Sequence, residues 1–228
     1  MPISARQVLE ALRETTLPVD LRTYMHTGSK VKKKAMTFGR ALCYGSGWTV
    51  SSATKRYPDL ARLLCRYGKE RFPKFAFSSI TVNSGGSALH VDPMNCGPSM
   101  IVSFGEHEGG ELWQYPGKIM KIHNKPRLSN GLLPHMTLPF TGERYSLVYY
   151  NMAGDRAQGQ RAPLKADDAA YLRGLGFAVK PSIFKCAEHE PQRELLPLAA
   201  QILRAAGVPS KAIGSSYKLK ANKRNSRK

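Results

Sequence analysis

Apolar residues recur at helical spacing near the start of the chain, where Val8, Leu9 and Leu12 are interleaved with Arg6, Glu10, Arg13 and Glu14. The pattern predicts an amphipathic helix over residues 4–14. Leu60, Leu63 and Leu64 repeat it behind Pro58 and Asp59, which predicts a second helix from Pro58 to Gly68. Between the two lie a basic run, Lys30, Lys32, Lys33 and Lys34, and a Gly/Ser-rich stretch from Tyr44 to Trp48.

From Phe75 to Asn151 the texture changes to short runs of Ile, Val, Phe, Tyr and Leu broken by Gly, Pro and Asn, the pattern of a compact antiparallel β domain. Strands are expected over Phe75–Asn83, Ser99–Phe104, Glu111–Tyr115, Lys118–His123 and Tyr145–Asn151. Helical spacing returns over Asp167–Leu175 and Glu190–Ala206, where Leu195, Leu196, Ala199, Ile202 and Leu203 form a stripe suited to core packing or a partner surface. Residues 215–228 are basic with no acidic residue, and a disordered tail is expected there. The fold class is therefore α+β. Its parts are a helical and basic flank over 1–75, a β core over 76–151, a helical extension over 152–214 and the tail.

With 228 residues, 42% of them apolar, the chain suffices for one hydrophobic core. No run of about 20 apolar residues occurs and the N-terminus lacks a secretory pattern, so no membrane span is expected and the protein reads as an intracellular monomer. Cys43, Cys65, Cys96 and Cys186 are spread out without a C-x-x-C pair, which argues against a disulfide scaffold or a zinc finger. The net charge is +19, from 35 Lys and Arg against 16 Asp and Glu. Such a balance makes a polyanion the natural partner, nucleic acid first and DNA ahead of RNA, and the basic tail suits a nuclear address.

The candidate chemistry sits in the β segment. In His90-Val91-Asp92 the first and third residues point to one face of a strand and reach one ion together. His135 follows the turn-forming Asn130-Gly131 and supplies a second imidazole from a strand that folds back. Two imidazoles and a carboxylate on one face leave three positions open, the donor set of a non-haem Fe(II) site. Arg144 opens the apolar run Tyr145–Tyr150 with Ser146 two residues on, and its planar fork suits a buried carboxylate. His107 and His123 lack a ligand pattern and are expected at the surface and at a pocket rim. His26 and His189 have no supporting neighbours.

His90, Asp92, His135 and Arg144 together resemble the pattern of the 2-oxoglutarate/Fe(II) dioxygenase superfamily over roughly residues 76–151. Arg144-Tyr145-Ser146 looks like that superfamily's co-substrate clamp, and Gly109-Gly110-Glu111-Leu112 looks like a turn that opens one of its strands. The resemblance implies a double-stranded β-helix, jelly-roll-like, with Fe(II), 2-oxoglutarate and O2 as cofactor and co-substrates. Leu89-His90-Val91-Asp92-Pro93-Met94-Asn95 further resembles the TET/JBP group, which oxidises the methyl group of 5-methylpyrimidines in DNA. It implies that Asn95 holds a flipped base. The cysteine-rich flank of animal TET enzymes and a dedicated base-J binding domain are absent. A protein prolyl or lysyl hydroxylase shares the ligand pattern, and a non-catalytic β-helix module that binds nucleic acid is the other alternative.

Overall fold

The computed structural model describes residues 1–19, 34–43, 47–152, 163–179 and 190–214. The first helix, α1 (Ala5–Arg13), starts where expected because Ser4 and Gln7 form a capping box. A short helix, α2 (Ser52–Arg56), precedes α3 (Pro58–Arg71), which begins on its proline and runs one turn past Gly68. Gly68 costs roughly 1 kcal/mol of helix propensity relative to alanine. Its place is explained by Tyr149, whose ring lies 2.7 Å from where a Cβ would stand.

A six-stranded antiparallel sheet forms the centre, in the order β2 (Gly47–Val50), β1 (Lys34–Cys43), β3 (Ser79–Ser84), β11 (Tyr145–Tyr150), β4 (Ser99–Phe104) and β8 (Arg127–Ser129). One face is apolar. Phe38, Ile80, Val82, Val102, Phe104, Leu147 and Tyr149 pack there with Val8, Leu12 and Leu64 of the N-terminal helices and Leu172 of α4 (Ala166–Leu175). Tyr149 is fully buried and donates its hydroxyl to Leu64 O at 3.0 Å, so the phenol is satisfied inside the core.

The other face is mostly polar, as strand alternation requires. Ala35, Asn83, Ser146 and Ser103 are paired in one cross-strand row, and Thr37, Thr81, Val148 and Ile101 in the next. A three-stranded sheet covers this face, with β6 (Leu112–Gln114) between β7 (Lys118–Met120) and β9 (His135–Thr137). Leu112 and Met120 point inward to Ile101 and Val148. Trp113 and Met136 point outward and are covered by Ala199, Ala200 and Leu203 of α5 (Leu196–Ala205) and Ile213 of α6 (Ser210–Ile213). A separate pair, β5 (His107–Gly109) with β10 (Phe140–Gly142), closes one end.

Three differences from the sequence reading have physical causes. The segment expected to be only a helical and basic flank contributes β1 and β2. The pairing of β1 with β3 places Phe38 against the same core as Ile80. The short strands β5, β8, β9 and β10 have three residues each, too few for alternation to show. The last long helix begins at Leu196, after a 3-10 turn at Arg193–Leu195, because Pro197 lacks an N–H and fits only the first turn. Lys30, Lys32, Lys33, Tyr44, Cys186, His26, His189 and the basic tail lie outside the described residues. Cys43 is exposed, Cys65 buried and Cys96 half-buried. Among the described residues no helix is long and apolar enough to cross a membrane.

Candidate metal centre

His90 lies at an isolated bridge opposite His135, the first residue of β9, and the turn at Asn130-Gly131 brings the chain back to Asp92. Asp92 N donates to Gly131 O at 2.7 Å, which ties the carboxylate's backbone to that turn. One ligand atom from each of His90, Asp92 and His135 lies within 4.8 Å of the other two. Asp92 Oδ1 is 3.5 Å from His90 Nε2 and Asp92 Oδ2 is 3.6 Å from His135 Nε2. Both imidazoles are oriented alike. His90 Nδ1 lies 2.7 Å from Ala88 O and His135 Nδ1 lies 2.8 Å from Leu133 O. Each Nδ1 donates to a carbonyl two residues back, which fixes the tautomer whose Nε2 lone pair turns toward the shared point.

Asn95 is 4% exposed. Its Nδ2 donates to Asp92 Oδ2 at 3.2 Å and to Ser99 Oγ at 3.1 Å. The structure thus gives Asn95 a hold on the candidate metal carboxylate. Gly131 closes on the same pair, since a Cβ there would stand 2.6 Å from Asn95 Nδ2 and 3.0 Å from Asp92 Oδ2. Sequence reading used Asn130-Gly131 only as a turn signal. The need for a missing side chain becomes visible only when Asp92 and Asn95 are brought against it.

Arg144 and Ser146, two residues apart at the start of β11, are both buried, at 3% and 4% exposure. Arg144 Nη1 donates to Gly85 O at 3.0 Å, while Nε is buried without a hydrogen-bond partner. Burial lowers its pKa to about 10, with Glu111 opposing the shift. Gly110 makes the room, because a Cβ there would meet Arg144 Nε at 2.8 Å and Cδ at 2.9 Å. The segment that receives Arg144 at Gly85 pairs with β9 through Ser87 and Thr137 and carries His90 at its other end. A buried cation with one hydrogen bond to a carbonyl, a ring at 5.5 Å and an orphaned N–H fits an anionic ligand, which would restore the solvation that burial removed.

His107 and His123 are brought together near Arg144, with ring centroids 4.3 Å apart. His107 Nδ1 donates to Gly109 O at 3.0 Å and His123 Nε2 to Gly105 O at 3.0 Å. Burial, and then the neighbouring His123, hold the His107 imidazole below the ordinary histidine range. Nothing in the spacing of these two residues announced the contact, which depends on the bridge between Ser103 and His123.

No family model and no curated protein matches the chain. Among solved structures it is similar to NgTET1 in complex with 5mC DNA, at 15% identity over 69% of this chain and 72% of that one, with a TM-score of 0.45. It is similar also to an oxidoreductase of the 2OG-Fe(II) oxygenase family from Burkholderia pseudomallei, at 15% identity over 62% of this chain and 76% of that one, with a TM-score of 0.43. The ribosomal oxygenase YcfD of Escherichia coli is similar at 10% identity, over 83% of this chain and 66% of that one, with a TM-score of 0.31. At these values the functional reading rests on the residues themselves.

Proposed function

We propose that the chain is an Fe(II)- and 2-oxoglutarate-dependent dioxygenase that oxidises the methyl group of a 5-methylpyrimidine, 5-methylcytosine or thymine, in nucleic acid. The observation that carries this reading is the convergence of His90, Asp92 and His135 in an interior that also holds Arg144 buried with an unpartnered Nε. In this reading the two facing antiparallel sheets are a double-stranded β-helix, and a nuclear place of action follows from a DNA substrate.

When bound, the iron and 2-oxoglutarate couple the decarboxylation of the keto acid to succinate with insertion of one oxygen atom from O2 into a substrate C–H bond. The protein's part is positioning. His90 and His135 present Nε2 from hydrogen-bonded rings, and Asp92 presents a carboxylate steadied by Asn95. His90, Asp92 and His135 would hold the iron, and a three-residue donor set of this kind would leave room for the co-substrate and O2. Arg144 would take the far carboxylate of 2-oxoglutarate, with Ser146 beside it on the same strand face, and its burial keeps water from competing for the guanidinium.

Nucleic acid as substrate is supported by the net charge of +19. A methyl group within a duplex cannot reach a ligand set enclosed between two sheets, so the nucleotide must leave the stack. Asn95, carried over from the resemblance as a base contact, stands next to Asp92. Its amide nitrogen is directed at Asp92 and Ser99, so that donor must leave Asp92 before it can serve a base.

The test is anaerobic titration with Fe(II) and 2-oxoglutarate, watched for a weak visible charge-transfer band, then air and mass spectrometry of an added oligonucleotide containing 5-methylcytosine. A band and an oxidised base are expected. A band without base oxidation would refute the substrate, and folded protein with no band would refute the enzyme class.

A further inference from the structure

We propose that the edge made by β7, β8 and the turn between them is a phosphate-docking surface for the nucleic-acid strand whose reacting nucleotide enters the metal centre. The proposal rests on the nucleic-acid reading above and gives it a location. β7 and β8 are the outer strands of the two facing sheets, and each has a strand partner on one side only. Lys118, Lys121, Lys125 and Arg127 are exposed along this edge. None of the four forms an ion pair with a described residue.

The sequence from Leu112 to Gly142 contains no Asp or Glu. Two acids lie beside this edge, Glu106 on the same hollow as Asn124 and Glu111 next to Leu112, the partner of Met120, and both have cationic partners, Glu106 in Arg13 at 3.5 Å and Glu111 in Arg144. Ile119 and Leu128, 59% and 52% exposed, lie among the four cations and add apolar area against which a sugar or base can pack.

The edge leads directly to the metal centre. Lys118 is paired across the small sheet with Gln114, and Gln114 with His135. Neighbouring strands are about 4.8 Å apart, so the backbone of Lys118 lies roughly 10 Å from that of His135. Arg127 is two residues from Ser129, which pairs with Ser99, the residue that accepts a hydrogen bond from Asn95. A nucleotide at the metal thus has flanking phosphates within reach of long cationic side chains on this edge. Lysine on an edge strand also discourages edge-to-edge pairing. That role is met by one or two charges of either sign and leaves four cations in an acid-free stretch unexplained.

The experiment uses the full chain carrying Lys118→Gln, Lys121→Gln, Lys125→Gln and Arg127→Gln. A control variant loses the same charge elsewhere, through Lys55→Gln, Arg56→Gln, Lys69→Gln and Lys74→Gln. Binding of a single-stranded oligonucleotide with one 5-methylcytosine is measured from 50 to 200 mM salt (assay conditions, of the order used for counterion analysis), and Co(II) affinity is measured in parallel. The edge variant is expected to bind the oligonucleotide about 100-fold more weakly, with its salt slope reduced by roughly 3, at unchanged Co(II) affinity. The control is expected to lose much less. Equal losses in both variants, or wild-type binding by the edge variant, would overturn the surface. If the wild type binds Co(II) but no oligonucleotide, the nucleic-acid reading itself fails. If the wild type binds polyglutamate through these cations and no oligonucleotide, the occupant is an acidic protein and the proposal falls.

Discussion

His90 and His135 exchange both backbone hydrogen bonds, His90 N donating to His135 O at 3.0 Å and His135 N to His90 O at 2.9 Å. Directly opposed residues of an antiparallel pair project to the same side, so the backbone itself places the two rings together, with centroids 4.2 Å apart. The candidate ligand pair is held by main-chain geometry, and only Asp92 relies on side-chain support.

Replacing His90 or His135 with alanine is therefore expected to remove a ligand without moving the backbone. Co(II) affinity should fall at least about 100-fold while the far-ultraviolet circular dichroism is unchanged. Wild-type affinity in either variant would exclude that residue from the metal set.

Asn95 offers a sharper test, because its two candidate roles separate. As the residue steadying Asp92, Asn95→Ala should weaken Co(II) binding by about 10- to 100-fold, the usual cost of losing a partner of a metal ligand, and alter the visible Co(II) spectrum. As a base contact alone, it should leave the metal untouched and weaken only the oligonucleotide. Rescue of the Co(II) spectrum by Asn95→Gln, with its longer amide, would also favour the first role.

Arg144 carries the prediction for 2-oxoglutarate. In the wild type, the keto acid at 100 times its Kd, with metal present, should stabilise the fold by about 2.7 kcal/mol through mass action. Arg144→Met should abolish this shift. It should also raise the melting temperature of the ligand-free protein, since it removes a buried and poorly paired cation. A full ligand-induced shift in the variant would place the carboxylate elsewhere.

Much of the site was legible because ligand chemistry demands residue types at short or strand-compatible spacings. His90 and Asp92 are two apart, and Arg144 and Ser146 repeat that interval at the head of an apolar strand. The strand Ser99–Phe104 was legible as a short apolar run bounded by Gly and Pro, and its observed bounds match the expected ones. What stayed hidden depends on pairing. β1 contains Thr37, Gly39 and Arg40 among its apolar residues and joins the sheet only because β3 lies alongside. Three-residue strands such as β9 have no period to read, so His135 was found through its chemistry rather than through its strand.

Gly131 and Gly110 test the close approaches. Gly131→Ala should lower Co(II) affinity by crowding Asn95 and Asp92, while Gly110→Ala should weaken 2-oxoglutarate by displacing Arg144 and leave the metal unaffected. An additional penalty is expected at Gly110, where φ is +76°. Metal and keto-acid titrations of the two variants should give opposite patterns, and matching patterns would mean general unfolding.

A pH dependence follows from His107. Its imidazole is held below the ordinary range, so as pH falls below about 6.5 the unfolded chain takes up a proton before the folded one does. The stability contribution is complete above that value and is lost as pH descends toward the folded pKa. Thermal melts of the wild type and His107→Phe between pH 7.5 and 5 (an assay window around the histidine range) should show a shallower decline in the variant. Parallel declines would assign the effect to other groups.

The covering of the small sheet has a consequence for how the protein is made. Trp113 and Met136 are shielded by α5 and α6, and Leu89 N, one residue before His90, donates to Ile213 O at 3.2 Å. The cover behind the candidate site is thus the last part of the described residues to leave the ribosome. Residues 85–137 can pair earlier, but they keep an uncovered apolar face until α6 is delivered. A chain halted before Pro191 would lack the helices that cover this face and would leave Trp113 and Met136 open to solvent.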